Sequence, residues 1–183
     1  MTDPDRDLPE ELMWQGRFIA AKRRGRWEYV SRARGIRAAV ILAIDEDAGG
    51  PHVILVDQYR VPLGTRCIEL PAGLVGDEQA GEDATVAAAR ELEEETGYRP
   101  DRLDNLGEFH SSPGMVSESF TLFRARGLTK TGEGGGVDGE DIRVHRIPIA
   151  TLPDHIATWR AKGYAMDVKL LYLLGALALG AII

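Results

Sequence analysis

Short apolar runs separated by polar turns make up most of this chain, and one longer stretch with helical periodicity interrupts them. Arg37 to Ile44 and Val53 to Gln58 are β-branched and apolar, predicting two central strands joined by the turn-rich segment Asp45-Glu-Asp-Ala-Gly-Gly-Pro51. Upstream, Arg17 to Ala21 and Arg26 to Arg32 predict two strands turning at Arg23-Arg24-Gly25. Downstream, Thr65 to Leu70, Leu103 to His110, Phe120 to Ala125 and Gly139 to His145 predict four more. The longer stretch is an alanine-rich amphipathic helix with Asp83 as N-cap, Gly97 just past its end, and Arg99-Pro100 as a stop. Ile149 to Ala161 and Asp167 to Ile183 predict two later helices. Leu170 to Ile183 carries no charge over 14 residues. That is short of the roughly twenty needed to cross a bilayer, so it is expected to pack on the core or on a second subunit.

A length of 183 residues suits one domain with a full core. The pattern divides it into a polar, flexible stretch over 1–11, a β extension over 12–34 and a main domain over 35–183. Met1 to Glu11 is acidic, with two prolines, and unlike a secretory leader. The net charge of −7 argues against general binding to nucleic acid or anionic membranes. Basic charge nonetheless collects at Arg17, Lys22, Arg23, Arg24, Arg26, Arg32, Arg34 and Arg37, either as a solvated hairpin face or as a patch near an anionic site. Cys67, the single cysteine, lies in a predicted strand and is expected to be a buried structural thiol; its solitude suits a reducing cytoplasm.

The helix carries the chemistry. Glu91, Glu94 and Glu95 stand three and four residues apart, on neighbouring ridges of one side. Arg90 can pair with Glu94, but one arginine cannot neutralise Glu91, Glu93, Glu94 and Glu95 together. Acidic helix faces are usually just solvated. A divalent ion held by one or two carboxylates and substrate phosphates is the functional alternative.

The spacing around the helix favours that alternative. Gly76, five residues, Glu82, seven residues, then Arg90-Glu-Leu-Glu-Glu-Glu-Thr-Gly-Tyr98 resembles the Nudix box, the signature of the Nudix hydrolase family. The resemblance implies an α/β fold, the family's α/β/α sandwich with a mixed sheet, here with an N-terminal β-strand extension. It implies a metal site of Glu91, Glu95 and the Ala72 carbonyl with Glu94 assisting, magnesium or manganese as the ion, and Glu91 and Glu95 as catalytic residues. Glu82 and Arg90 take structural positions. One departure concerns Pro71-Ala-Gly73: the box glycine is normally the one in that tripeptide, and Gly73 is three residues too far from Glu82. Either Gly76 takes its place or the loop Val75 to Gly81 carries an insertion, which is the reading we favour.

Further segments are similar to the ADP-ribose pyrophosphatase branch. Gln15-Gly-Arg-Phe18 and Gly25-Arg-Trp-Glu-Tyr-Val30 resemble its N-terminal region. That implies Trp27 and Phe18 as an adenine clamp and a homodimer that exchanges these strands; from spacing alone the two would be core aromatics. Gln58-Tyr-Arg60 implies that Arg60 contacts the diphosphate. Pro113, sixteen residues beyond Gly97, matches a proline that sets this branch apart, and Glu118 is a candidate for the ribose or the metal surroundings. Thr129 to Gly139 is glycine-rich and long enough for a mobile lid, without a P-loop pattern. The following Gly139-Glu-Asp-Ile-Arg-Val-His145 resembles the segment that brings a carboxylate to the attacking water: Glu140, with Asp141 as the alternative. The function implied is hydrolysis of ADP-ribose to AMP and ribose 5-phosphate. Hydrolysis of another nucleotide sugar, an ADP- or GDP-hexose, is the near alternative, and a non-catalytic ADP-ribose sensor the more distant one.

Overall fold

The computed structural model of the chain describes residues 3–33, 37–76, 83–137 and 139–179. The apolar runs build one mixed sheet in the order β11 (Ala165–Met166), β6 (Thr65–Glu69), β5 (Gly50–Arg60), β4 (Arg37–Asp47), β9 (Ser119–Lys130), β8 (Tyr98–His110). β10 (Ile142–Pro148) adds to β5 and β7 (Ala72–Val75) to β4. The β4–β9 and β6–β11 pairs are parallel, the others antiparallel.

β4 is the hinge of this arrangement. On one edge it pairs with β9 from Ala38 to Ala43, while its other edge changes neighbour, taking β7 over Arg37 to Val40 and β5 over Ala43 to Asp47. The Ile41 N–H reaches the Pro71 carbonyl at 2.8 Å between them. The sheet therefore splits at the middle of β4.

Helix α1 (Ala84–Thr96) lays Ala88 and Leu92 on one face, against Ala39, Ile41, Ala43, Ile54 and Phe123. On the other face α2 (Leu152–Ala161) and α3 (Leu170–Ala178) contribute Leu152, Ile156, Trp159, Leu170 and Leu173 to a core with Val40, Leu42, Leu55 and Ile68. This is the expected α/β/α sandwich. Among the described residues no helix is long and apolar enough to cross a membrane.

The predicted ends of α1 hold. The Asp83 carboxylate accepts the N–H groups of Thr85 and Val86 at 2.8 and 3.4 Å, and Gly97, at φ 70°, donates its N–H to Glu93 O at 2.8 Å. A Cβ on Gly97 would also overlap the Gly132 carbonyl. Gly97→Ala is thus expected to destabilise the protein by about 1–3 kcal/mol, read as a lower urea midpoint at unchanged slope.

Other expectations are corrected. β8 begins at Tyr98, directly after the helix, and passes through Pro100; an outermost strand tolerates the missing N–H. The N-terminal extension is a separate three-stranded sheet, with β1 (Glu11–Gln15) unforeseen and β2 (Ile19–Arg24) and β3 (Trp27–Arg32) turning at Gly25, φ 57°. Ahead of it, the acidic stretch contacts the extension from Asp3 onward. Asp3 and Asp5 each reach Arg26 at 3.1 Å, and Glu10 reaches Lys22 at 2.7 Å and the Tyr29 hydroxyl at 2.5 Å. These pairs neutralise much of the basic charge of the hairpin. Arg34 and the last four residues of the predicted terminal helix lie outside the described residues.

Candidate active site

Where the sheet splits, a cleft of about 380 Å³ opens, lined by Arg32, Arg60, Glu69, Glu91, Glu95, Glu118 and Glu140 among others. The four-residue spacing on α1 turns Glu91 and Glu95 into it together. Glu95 is only 9% exposed, and its Oε2 accepts the Ala72 N–H at 3.0 Å. Glu91 lies so close to Gly73 that a Cβ there would overlap its carboxylate. Gly73 therefore makes the close approach itself. The loop 77–82, including Glu82 and the suspected insertion, lies outside the described residues.

Burial pushes the Glu95 carboxyl up to about 8, opposed by the Ala72 N–H and reinforced by Glu91 and Glu140. Burial likewise raises Glu91, against the pull of Arg90. The cations lining the cleft are already engaged. Arg60 forks onto Glu69 at 2.6 and 2.8 Å, Arg32 meets Glu118 at 2.6 Å, and Lys169 meets Asp167 at 2.7 Å. Arg90 lies 3.2 Å from Glu91 and is shared with Glu94, so one guanidinium serves two carboxylates, and a partly desolvated carboxylate pair of this kind is the donor set a hard divalent cation satisfies. Among the described residues no three acidic, histidine or cysteine side chains yet surround a common point. The fit therefore rests on Glu91, Glu95 and main-chain oxygen at Ala72.

Arg60, Glu118 and Glu140 thus join Glu91 and Glu95 in one cleft, with Ala72 beside them. Glu94 does not; it turns to Arg90 at 3.1 Å. Asp141 faces away, bonded to Arg66 at 2.5 Å. Trp27 and Pro113 share a different cavity, about 480 Å³, with Arg24, Tyr29 and Val116. Phe18 lines neither and is 64% exposed, with the Arg17 guanidinium 5.0 Å from its ring centre. The two cavities are neighbours along one strand: β3 carries Trp27 at its start and Arg32 at its end, about 17 Å apart by strand rise. The 111–118 segment follows the same track, Val30 N–H to Met115 O at 3.0 Å and Ser117 N–H to Val30 O at 2.9 Å.

Arg32, Glu69 and Lys169 line the cleft without having been singled out. Glu69 had a signal, since it directly precedes Leu70-Pro-Ala-Gly73. The expected glycine lid is instead a strap on the end of α1: the N–H groups of Thr131, Gly135 and Gly136 donate to the carbonyls of Gly97, Glu95 and Glu94 at 2.8, 2.8 and 3.0 Å. Gly134, at φ 70°, lies against the Thr96 backbone with no room for a Cβ. Cys67 is buried and its thiol is pushed up to about 12, chiefly by that burial, as suits a structural residue.

The family model of the NUDIX domain matches residues 34–166. A GDP-mannose pyrophosphatase of Cronobacter sakazakii is 33% identical over 157 residues, covering 81% of this chain and 76% of its own. An ADP-ribose pyrophosphatase of Bacillus subtilis is 35% identical over 104 residues, 57% of this chain and 53% of its own. A crystal structure described as an ADP compounds hydrolase superposes with a TM-score of 0.66 over 94% of this chain and 93% of that one, at 23% identity.

Proposed function

This chain belongs to the Nudix hydrolase family, and we propose that its cleft hydrolyses the diphosphate bond of ADP-ribose, giving AMP and ribose 5-phosphate. The observation that carries the proposal is the union, in one cleft, of two desolvated helix carboxylates with two arginines. Glu91, Glu95 and the Ala72 carbonyl would hold magnesium or manganese, which when bound offsets diphosphate charge and lowers the pKa of a coordinated water. Arg60 and Arg32 present guanidinium groups to the phosphate oxygens, each kept in place by its own carboxylate, Glu69 or Glu118. Glu140 enters the same cleft from the far side of the strap and takes the proton of the attacking water. Trp27 offers its indole face to the base at the other end of β3. Stacking there contributes about 1–3 kcal/mol. Two copies of the chain joined through the N-terminal sheet, where Leu12, Trp14 and Phe18 are exposed, form the proposed homodimer.

A GDP-hexose is the second reading. The relative named for GDP-mannose aligns over a longer part of this chain than the one named for ADP-ribose.

The test is phosphate release from a panel of nucleotide sugars with magnesium, using alkaline phosphatase to free phosphate from the products. Turnover of ADP-ribose above all others is expected. Turnover of GDP-mannose alone would keep the reaction and sink the substrate. ADP-ribose binding without turnover of any member would mark a sensor instead.

A further inference from the structure

Outside the cleft, a polar cluster joins β5, β6, β10 and the residue just before β10. Asp57 is 1% exposed, and its two oxygens are both occupied, one by Arg66 Nε and the other by His145 Nε2 at 2.6 Å. Arg66 Nη2 also donates to the Asp57 carbonyl at 3.0 Å. The guanidinium is thereby fixed in plane. Its remaining donors go to one residue, Nη1 to Asp141 Oδ2 at 2.5 Å and Nη2 to Asp141 O at 2.8 Å. Asp141 is the residue next to Glu140, which lines the cleft.

Glu140 needs such an anchor. It is exposed, on a turn where its N–H donates to Val137 O at 3.1 Å and its Oε2 accepts the Val137 N–H at 3.0 Å. Those bonds shape the turn locally and do not tie it to the sheet. The ladder of β10 on β5 starts only at Ile142, opposite Gln58. Between the glycine strap and that ladder, the Arg66 fork holds both the main chain and the side chain of Asp141.

We propose that Arg66 is a positioning residue for catalysis: oriented by buried Asp57, it clamps Asp141 and so sets Glu140 over Glu91 and Glu95. This rests on the reading of Glu140 as the group that serves the attacking water. A surface ion pair would contribute little and would be indifferent to kcat. A clamp one residue from the proton acceptor acts on kcat and leaves KM nearly alone, because geometry errors of about an ångström at the reacting centre cost rate.

The test is a double-mutant cycle on the full-length protein with magnesium, using ADP-ribose, or GDP-mannose if only that is turned over. Glu140→Gln is expected to lower kcat about a hundredfold or more, and Arg66→Ala about tenfold, with KM changed less than about twofold. Added to Glu140→Gln, Arg66→Ala should cost nothing further. Asp141→Ala removes the side-chain half of the clamp, leaves the bond from Arg66 Nη2 to the residue-141 carbonyl and does not touch the buried carboxylate, so it should lower kcat by less than Arg66→Ala does, at wild-type Tm. Arg66→Lys keeps the charge beside Asp57 but not the fork, and should recover Tm without recovering kcat. Equal losses from Arg66→Ala in both backgrounds, or a wild-type kcat in Arg66→Ala, would overturn the clamp. A wild-type kcat in Glu140→Gln would instead remove the Glu140 reading, and the clamp's purpose with it.

Discussion

Glu95→Gln is expected to lower kcat by about a thousandfold or more while the protein stays folded. The amide keeps an oxygen for the Ala72 N–H but brings no charge to the ion or to the phosphorus. The same variant carries a second, independent signature in metal-free protein. The carboxyl of Glu95 titrates near 8 when folded and near 4.5 when unfolded, so across that window the folded state keeps a proton that the unfolded chain has released. Stability therefore falls as pH rises from 4.5 to 8, by on the order of a few kcal/mol. In EDTA the wild-type Tm should drop between pH 5.5 and 8, and Glu95→Gln should flatten that drop. Magnesium added at pH 8 should raise the wild-type Tm and not that of the variant. A pH-independent wild type would contradict the desolvated carboxyl on which the metal site is built.

Gly73→Ala is expected to cost about a hundredfold in kcat, although one methyl group is the whole change. The added Cβ would fall on the Glu91 carboxylate, and the backbone of β7 cannot retreat because it is laddered to β4 through Ala39 and Val40. Glu91 must leave its place, and a displaced ligand of about an ångström suffices for a loss of this size. Gly76, at φ 84°, favours glycine for its own backbone, so Gly73→Ala is the variant whose kcat shows which glycine the box uses. An active Gly73→Ala enzyme would return that role to Gly76.

Helix α1 was legible because its signals are local. A capping aspartate, a closing glycine and carboxylates at helical spacing all lie within fifteen residues, and none depends on the rest of the chain. The central strands were legible for the same reason, as unbroken β-branched runs. What escaped was set by distance. β7 is four residues long and exists because β4 changes partner there, which nothing in Ala72 to Val75 announces. Arg32 looked like one more charge on a basic hairpin until its partner, Glu118, arrived from 86 positions away. The counter-charges of the basic hairpin were equally hard to read, since Asp3, Asp5 and Glu10 pair with Arg26 and Lys22 only once the chain has turned back on itself. Glycines suggested a mobile lid because glycine is permissive; here they let two backbones come within hydrogen-bonding distance.

The sheet's outer border has a consequence for behaviour in concentrated solution. At one side the last strand is β11, only two residues long, and at the other it is β8, with thirteen. A border of that length would ordinarily template a foreign strand. β8 offers no amide proton at Pro100, breaks its ladder between Asn105 and Glu108, and places Arg99, Asp101, Arg102 and Asp104 along its rim. The missing donor, the irregular ladder and the charges oppose strand addition along β8, and β11 is too short to template a strand at the other border.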